Sequence, residues 1–241
     1  MAAQQPKHKV KQHLKKLVYG NTDPRKGTKV HVISHFKKIE NVWNSSQYYD
    51  FGIERITRLF LVVSKVFFPG IYIDYLSRNS TYQHRKITGE FYIIFKTVMP
   101  FLMLYYSLWH EHWLFVINIY LLIETFLYIF HKIFLPEHNH YKTHNRSLIL
   151  LFFNFIEVIA SFGVVYAAGN YLNRPVDNWA DALYFSFITG ATIGYGDYHP
   201  VNEAGKLLVM LQIISTLSFL ILFFNFFAPR VQDTGFVDLD K

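Results

Sequence analysis

Apolar positions along this chain gather into long blocks. Four stretches, 91–109, 113–135, 148–172 and 203–228, are apolar over about the length a bilayer-crossing helix requires, roughly 20 residues. Each predicts a spanning helix. The first contains Lys96 and Pro100 and ends at Trp109, and the second starts at Trp113, so the two form a tight hairpin. The third follows the polar loop "PEHNHYKTHNRS" and runs to Leu172, and the fourth stops at Pro229. Ahead of them, "IERITRLFLVVSKVFF" at 53–68 sets Arg55, Arg58 and Lys65 on one helical face, with Leu, Val and Phe on the other, until Pro69-Gly70. That pattern predicts an in-plane interfacial helix. A fifth span is the alternative, since Lys65 could snorkel.

Composition and charge refine this outline. The chain is 51% hydrophobic and 19% aromatic, too apolar for an ordinary soluble domain of its size. It has no cysteine, which excludes disulfides, thiolate metal sites and thiol redox switching. The polar, basic N-terminus has no short apolar core and no small-residue cleavage site, so a cleaved signal peptide is not expected. Net charge is +7, with most of the 24 Lys and Arg before residue 91. A basic, aromatic-rich protein could bind nucleic acid, but four spans argue for anionic lipid headgroups as the partner of the basic arm. Arg78, Arg85, Lys86, Lys142, Arg146 and Arg230 flank one side of the spans, whereas 110–112 has no Lys or Arg and 173–202 has only Arg174. The positive-inside rule then describes a multi-pass cell-membrane protein with both termini cytoplasmic and 173–202 outside.

Residues 173–202 cannot be a simple loop. After polar "NRPVDNW", Asn178 and Asp181 form a plausible capping pair. "ADALYFSFITGA" is a helix too short to cross, and "TIGYGD" must return the chain outward. Such a re-entrant segment is tolerated only where protein buries it or it lines water. Gly194 and Gly196 accept left-handed backbone angles without penalty. Alternating handedness points successive carbonyls the same way, and a ring of carbonyls can replace a cation's hydration shell. One chain supplies one side of that ring, so several copies must meet on an axis. The C-terminal end of the short helix, near Gly190, adds partial negative charge that favours a cation.

Thr192–Asp197, "TIGYGD", resembles the potassium-channel selectivity filter, and 148–228 resembles that family's pore module of outer helix, turret, pore helix, filter and inner helix. Residues 1–147 lie outside the resemblance. It implies an all-α membrane protein: four transmembrane helices with a re-entrant pore helix and filter, assembled as a homotetrameric potassium-channel pore. Potassium ions would be held by the carbonyls of Thr192, Ile193, Gly194 and Tyr195 and by the Thr192 hydroxyl, in a filter that ends at Gly196. Tyr195 would pack behind the filter and Asp197 would sit at the outer mouth. No cofactor is implied beyond the permeant ion. This chain departs from the pattern at Ala191, where a second Thr is common, and at Ile188, where some members bury a Glu. Tyr184 and Phe185 stand where two Trp are usual, and Phe185 cannot donate a hydrogen bond to Tyr195.

A gapless match places Thr216 where many inner helices have a hinge glycine. Ser215, Thr216 and Ser218 hydroxyls bonding back to carbonyls are a substitute source of flexibility. Helical spacing turns Leu217, Leu220 and Phe224 toward the axis, a dry constriction that could gate by dewetting. No span has Arg or Lys at every third position, so voltage sensing of the usual kind is not expected.

The division of the chain is therefore a basic cytoplasmic arm (1–52), an interfacial helix and linker (53–90), a transmembrane hairpin (91–135), a His-rich cytoplasmic loop (136–147), the pore module (148–228) and a short tail (229–241). The loop holds His138, His140 and His144, the last two at one helical turn's spacing. A metal or proton sensor is one reading and a solvated basic loop is the plainer one. Glu124 and Glu157 lie within spans and need partners, with Lys96, His131 and Lys132 available. Two rival functions stay open: a nonconducting channel-like sensor or subunit, and a His-rich membrane metalloenzyme. The second needs several His clusters, and this chain has one HxxxH pair.

Overall fold

The structure is a computed structural model that describes residues 39–40, 43, 52–77, 82–134 and 144–233. In chain order the elements are α1 (Ile53–Ser64), a 3₁₀ turn (Lys65–Phe67), α2 (Pro69–Leu76), α3 (Tyr82–Tyr105), a 3₁₀ turn (Leu108–His110), α4 (His112–Phe134), α5 (His144–Ala168), α6 (Trp179–Gly190) and α7 (Glu203–Asp233). The described residues contain no strand, only an isolated bridge between Leu172 and Pro200. Helices α3, α4, α5 and α7 are long and apolar enough to cross a membrane. The fold is thus the expected all-α arrangement of four membrane-length helices with one short helix between the last two.

Helix limits differ from the sequence expectation for local reasons. α3 begins at Tyr82 rather than 91. Its polar first turns are pinned to α5: Arg146 Nε lies 2.5 Å from Glu90 Oε1, and Arg146 also donates to the Lys86 carbonyl at 2.6 Å. α3 ends at Tyr105 because Ser107 turns left-handed (φ 54°), and Trp109 is buried in the following turn rather than closing a helix. α5 ends at Ala168 instead of Leu172, since Tyr171, Leu172 and Asn173 pair with the chain around 199–201. α7 does not stop at Pro229 but continues to Asp233. A proline removes one helical donor and can kink a helix without ending it.

α5 is the central helix: 61% of its span is buried, against 28–33% in the other three. In lipid, helices associate by close van der Waals packing rather than by a hydrophobic difference, so small residues at crossings matter. Gly163 lies at one such crossing, where an added Cβ would make ordinary contacts. A Cβ there would lie 3.4 Å from Leu104 Cδ1 on α3 and 3.5 Å from the Ala182 carbonyl oxygen on α6. Around this crossing Met103, Leu104, Trp109, Val164 and Ala182 form one apolar cluster. A second, larger one joins Ile129 of α4 to Val158, Phe162 and Tyr166 of α5, Phe185 and Ile188 of α6, and Phe219 and Leu222 of α7. The short helix α6 is therefore held from behind by α5 and α7.

The faces of α1 are less cleanly separated than expected, since Leu61 and Val62 share the side of Arg58, and the wholly apolar face points outward. Ile53, Ile56, Phe60 and Val63 are exposed, while Leu61 and Val62 are buried with Arg58, which pairs with Glu54 at 2.8 Å. Phe68 is extended (φ −115°) and breaks the helix, and Pro69 then opens α2, a position where its fixed φ suits a helix start. The turn between α1 and α2 reaches the middle of α4: the Tyr120 hydroxyl donates to the Phe67 carbonyl, and the Phe68 and Tyr120 rings lie 5.3 Å apart.

Candidate ion-conduction site

The site begins with a well-capped α6. Asn178 Oδ1 accepts the N–H groups of Ala180 (2.8 Å) and Asp181 (3.0 Å), and its amide donates to Asp181 at 2.9 Å. This satisfies two of the orphan amides at a helix start. The other end of α6 unwinds in a way that launches the filter. The Ile188 carbonyl accepts the N–H of Ile193 at 2.8 Å and of Gly194 at 3.3 Å, and Thr189 accepts Thr192 N–H at 3.0 Å.

Beyond that point the backbone alternates. Among the described residues, positive φ occurs at Thr192 (57°), Gly194 (54°) and Gly196 (84°) within this stretch, and not at the intervening Ile193 and Tyr195. The two glycines make this conformation inexpensive. Thr192 does not: a β-branched residue with positive φ is strained, at a cost of about 1–3 kcal/mol. Every residue from Ala191 to Gly196 is exposed, and Tyr195 is 71% exposed.

The exit from the filter is stapled down. The Asp197 carboxylate accepts the Tyr184 hydroxyl at 2.9 Å, and the Asn173 side chain donates to the Asp197 carbonyl and accepts His199 N–H. Desolvation, followed by the bond to Asp197, pushes the Tyr184 hydroxyl above the ordinary tyrosine range, so it stays a donor. Gly205 allows α7 to start against this staple, since a Cβ there would lie 2.8 Å from the Tyr171 carbonyl oxygen. Of the two aromatics expected around the filter, Tyr184 thus serves Asp197. Phe185 is buried edge-on against Tyr166, with ring centroids 4.7 Å apart.

A polar network that sequence reasoning missed lies behind α6. Gln212 of α7 is fully buried and donates to the Ser186 carbonyl (2.7 Å) and Oγ (2.9 Å). It accepts the Tyr166 hydroxyl at 2.8 Å, and Ser186 Oγ donates to the Ile159 carbonyl at 2.6 Å. Inner, outer and pore helices are joined by fully paired groups, as buried polar groups in lipid require. A glutamine within an apolar span was the available sequence signal.

The remaining predicted residues fall on α7. Thr216 is buried where α7 meets Gly190, and its hydroxyl donates to the Gln212 and Ile213 carbonyls. Ser215 and Ser218 likewise bond back to Leu211 and Ile214. α7 nonetheless runs through this region as one helix. Leu217, Leu220 and Phe224 are all exposed, Phe224 at 72%. His138 and His140 lie outside the described residues, and His144 is the first residue of α5.

Residues 148–233 match the ion-channel family. The hyperpolarization-activated voltage-gated potassium channel of Methanocaldococcus jannaschii is 40% identical over 50 residues, 21% of this chain and 24% of the relative. The voltage-gated potassium channel Kch of Escherichia coli is 28% identical over 148 residues, 60% of this chain and 34% of the relative. Two pore potassium channel c of Oryza sativa subsp. japonica is 35% identical over 85 residues, 33% of this chain and 17% of the relative. The matched segments thus span about a third or less of these curated relatives. No solved structure matches. The left-handed stretch at 192–196 thus lies between two membrane-length helices, inside the residues that match the ion-channel family. The family match falls on the two-helix segment 148–233, and the relatives named here are potassium channels.

Proposed function

We propose that four copies of this chain assemble into a potassium-selective pore that conducts passively across a cell membrane. The observation that carries the reading is the alternating backbone handedness at Thr192, Gly194 and Gly196 in a segment wholly exposed in one chain. In a tetramer, carbonyls of Thr192, Ile193, Gly194 and Tyr195 and the Thr192 hydroxyl replace the water around potassium. Tyr195 packs against the adjacent copy, and Asp197, held by Tyr184, sits at the outer mouth. Both termini are cytoplasmic, and the basic N-terminal region meets anionic headgroups. Leu217, Leu220 and Phe224 line the inner cavity, and four copies of Leu220 and Phe224 form a dewetting gate. Thr216, whose hydroxyl already competes for helical carbonyls, is the bending point.

Flux from proteoliposomes tests this directly. Potassium efflux blocked by barium, with little sodium efflux, is the expected result. Equal potassium and sodium efflux from the unmutated protein would refute the filter assignment.

A further inference from the structure

A second constellation of charged groups lies halfway along the spans, away from the filter. Lys96 of α3 is buried, with Nζ 3.4 Å from Glu124 Oε2 of α4 and 3.6 Å from Glu157 Oε1 of α5. The Thr125 hydroxyl accepts from Lys96 and donates to the Glu157 carboxylate at 2.8 and 3.0 Å. The Tyr92 hydroxyl donates to Glu124 Oε2. Glu124 Oε1 accepts the Gly70 N–H at 3.1 Å, in the first turn of α2. The absent Cβ of Gly70 makes this approach feasible, since it would lie 2.8 Å from Oε1.

Two features of this cluster stand out. It joins four elements: the α1–α2 turn through Gly70, the hairpin through α3 and α4, and the pore's outer helix through Glu157, which is fully buried. It also holds two carboxylates against one ammonium. An uncompensated charge at this depth is costly, and one proton on either carboxylate would remove it. Glu124 is the more accessible of the two, at 8% exposure against 0% for Glu157.

The other ionisable groups near the cluster are few. α2 brings Tyr72, and α4 brings Tyr120, whose hydroxyl is bonded to Phe67. α1 packs on α4 and carries Arg58, which is paired with Glu54, and then Lys65 follows. On α4 itself His131 is buried two turns beyond Glu124, about 10 Å by helical rise. On α5, Arg146 is paired with Glu90 and Tyr166 with Gln212. α6 has Asp181 and Tyr184, and the described side chains of α7 have Glu203 and Lys206, all at or beyond the outer end of the pore module's helices.

We propose that the Lys96–Glu124–Glu157 cluster is a proton-operated coupling between the N-terminal half and the pore. With Glu124 ionised, charge-assisted bonds from Gly70 N–H and Tyr92 hold the α1–α2 turn and α3 against α4. Proton uptake neutralises the cluster, weakens those two bonds and changes the load on the pore's outer helix at Glu157. Glutamine at 124 mimics the protonated form.

This inference rests on the conduction reading for its functional half only, so two readouts are used on reconstituted full-length protein. Infrared difference spectra across pH report the carboxyl C=O band of a protonated Glu whether or not ions flow. A pH-titrating band is expected in the unmutated protein, lost in Glu124→Gln or in Glu157→Gln, retained in His131→Asn, and enlarged in Lys96→Met, where no ammonium remains. Absence of the band in the unmutated protein, or its survival unchanged in both Gln variants, overturns the proton site. Potassium efflux is expected to change with pH, and Glu124→Gln to hold it at the low-pH level throughout. A Glu124→Gln efflux profile that follows pH as the unmutated protein does overturns the coupling. Tyr92→Phe, which removes one bond and no charge, is expected to keep the band and shift the pH of half-maximal change. An unshifted profile counts against Tyr92 as one of the linking contacts.

Discussion

The filter segment and the mid-span cluster are built on opposite principles. Residues 192–196 are exposed within one chain, left-handed at Thr192, Gly194 and Gly196, and tied to α6 only at their start. Lys96, Glu124, Thr125 and Glu157 are buried and pair with one another and with Tyr92 and Gly70 inside the same chain. A left-handed threonine persists only where its surroundings over-determine it, and in the proposed pore other copies complete those surroundings. The cluster is complete in the monomer and can act only by changing its own charge or contacts. On the proposed reading one region depends on assembly and the other on a single fold.

That contrast can be broken most severely at Gly196. Its φ of 84° is left-handed, and a side chain there costs about 1–2 kcal/mol in each copy. Gly196→Ser is expected to abolish selectivity or conduction in flux assays while leaving the monomer's fold and the infrared carboxyl band untouched. Next in size is Gln212→Leu. It leaves the buried Ser186 and Tyr166 groups short of partners, at about 1–3 kcal/mol for each unmet group, and should lower the thermal unfolding midpoint in detergent. Tyr166→Phe, which removes one donor, should lower it less. Tyr184→Phe releases the Asp197 carboxylate at an exposed site, a smaller change. It is expected to alter barium block from the outer side and to preserve ion preference. The smallest energetic change is at the inner constriction. Phe224→Ala or Leu220→Ala should raise open probability in single-channel records, and unchanged gating in both would remove that constriction from the account.

How much of this was legible in the sequence depended on whether the information was local. The short helix between the last two spans, its Asn178 cap and the handedness of Gly194 and Gly196 were readable because glycine, capping and length rules act over a few residues. The left-handed Thr192 was not, since nothing in a threonine announces positive φ. Glu124 and Glu157 were visible as costly groups, but choosing Lys96 over His131 and Lys132 needs the rotation of α3 against α4 and α5, which spacing along one helix does not contain. Periodicity separated the two faces of α1 only in part, since Leu61 and Val62 share the side of Arg58. Which of them faces outward follows from packing on α4, because on a membrane protein the apolar face need not be the buried one. Gln212 carried a readable cue, a lone amide among apolar residues, whose partners on two other helices only the fold reveals.

The central claim is that residues 192–196 from four chains strip and pass potassium. The bi-ionic reversal potential of the purified, unmutated protein in a planar bilayer, with potassium on one side and sodium on the other, tests it most directly. The account predicts a large potential, set by potassium permeation with sodium excluded. A reversal potential showing no discrimination between the two ions would contradict it.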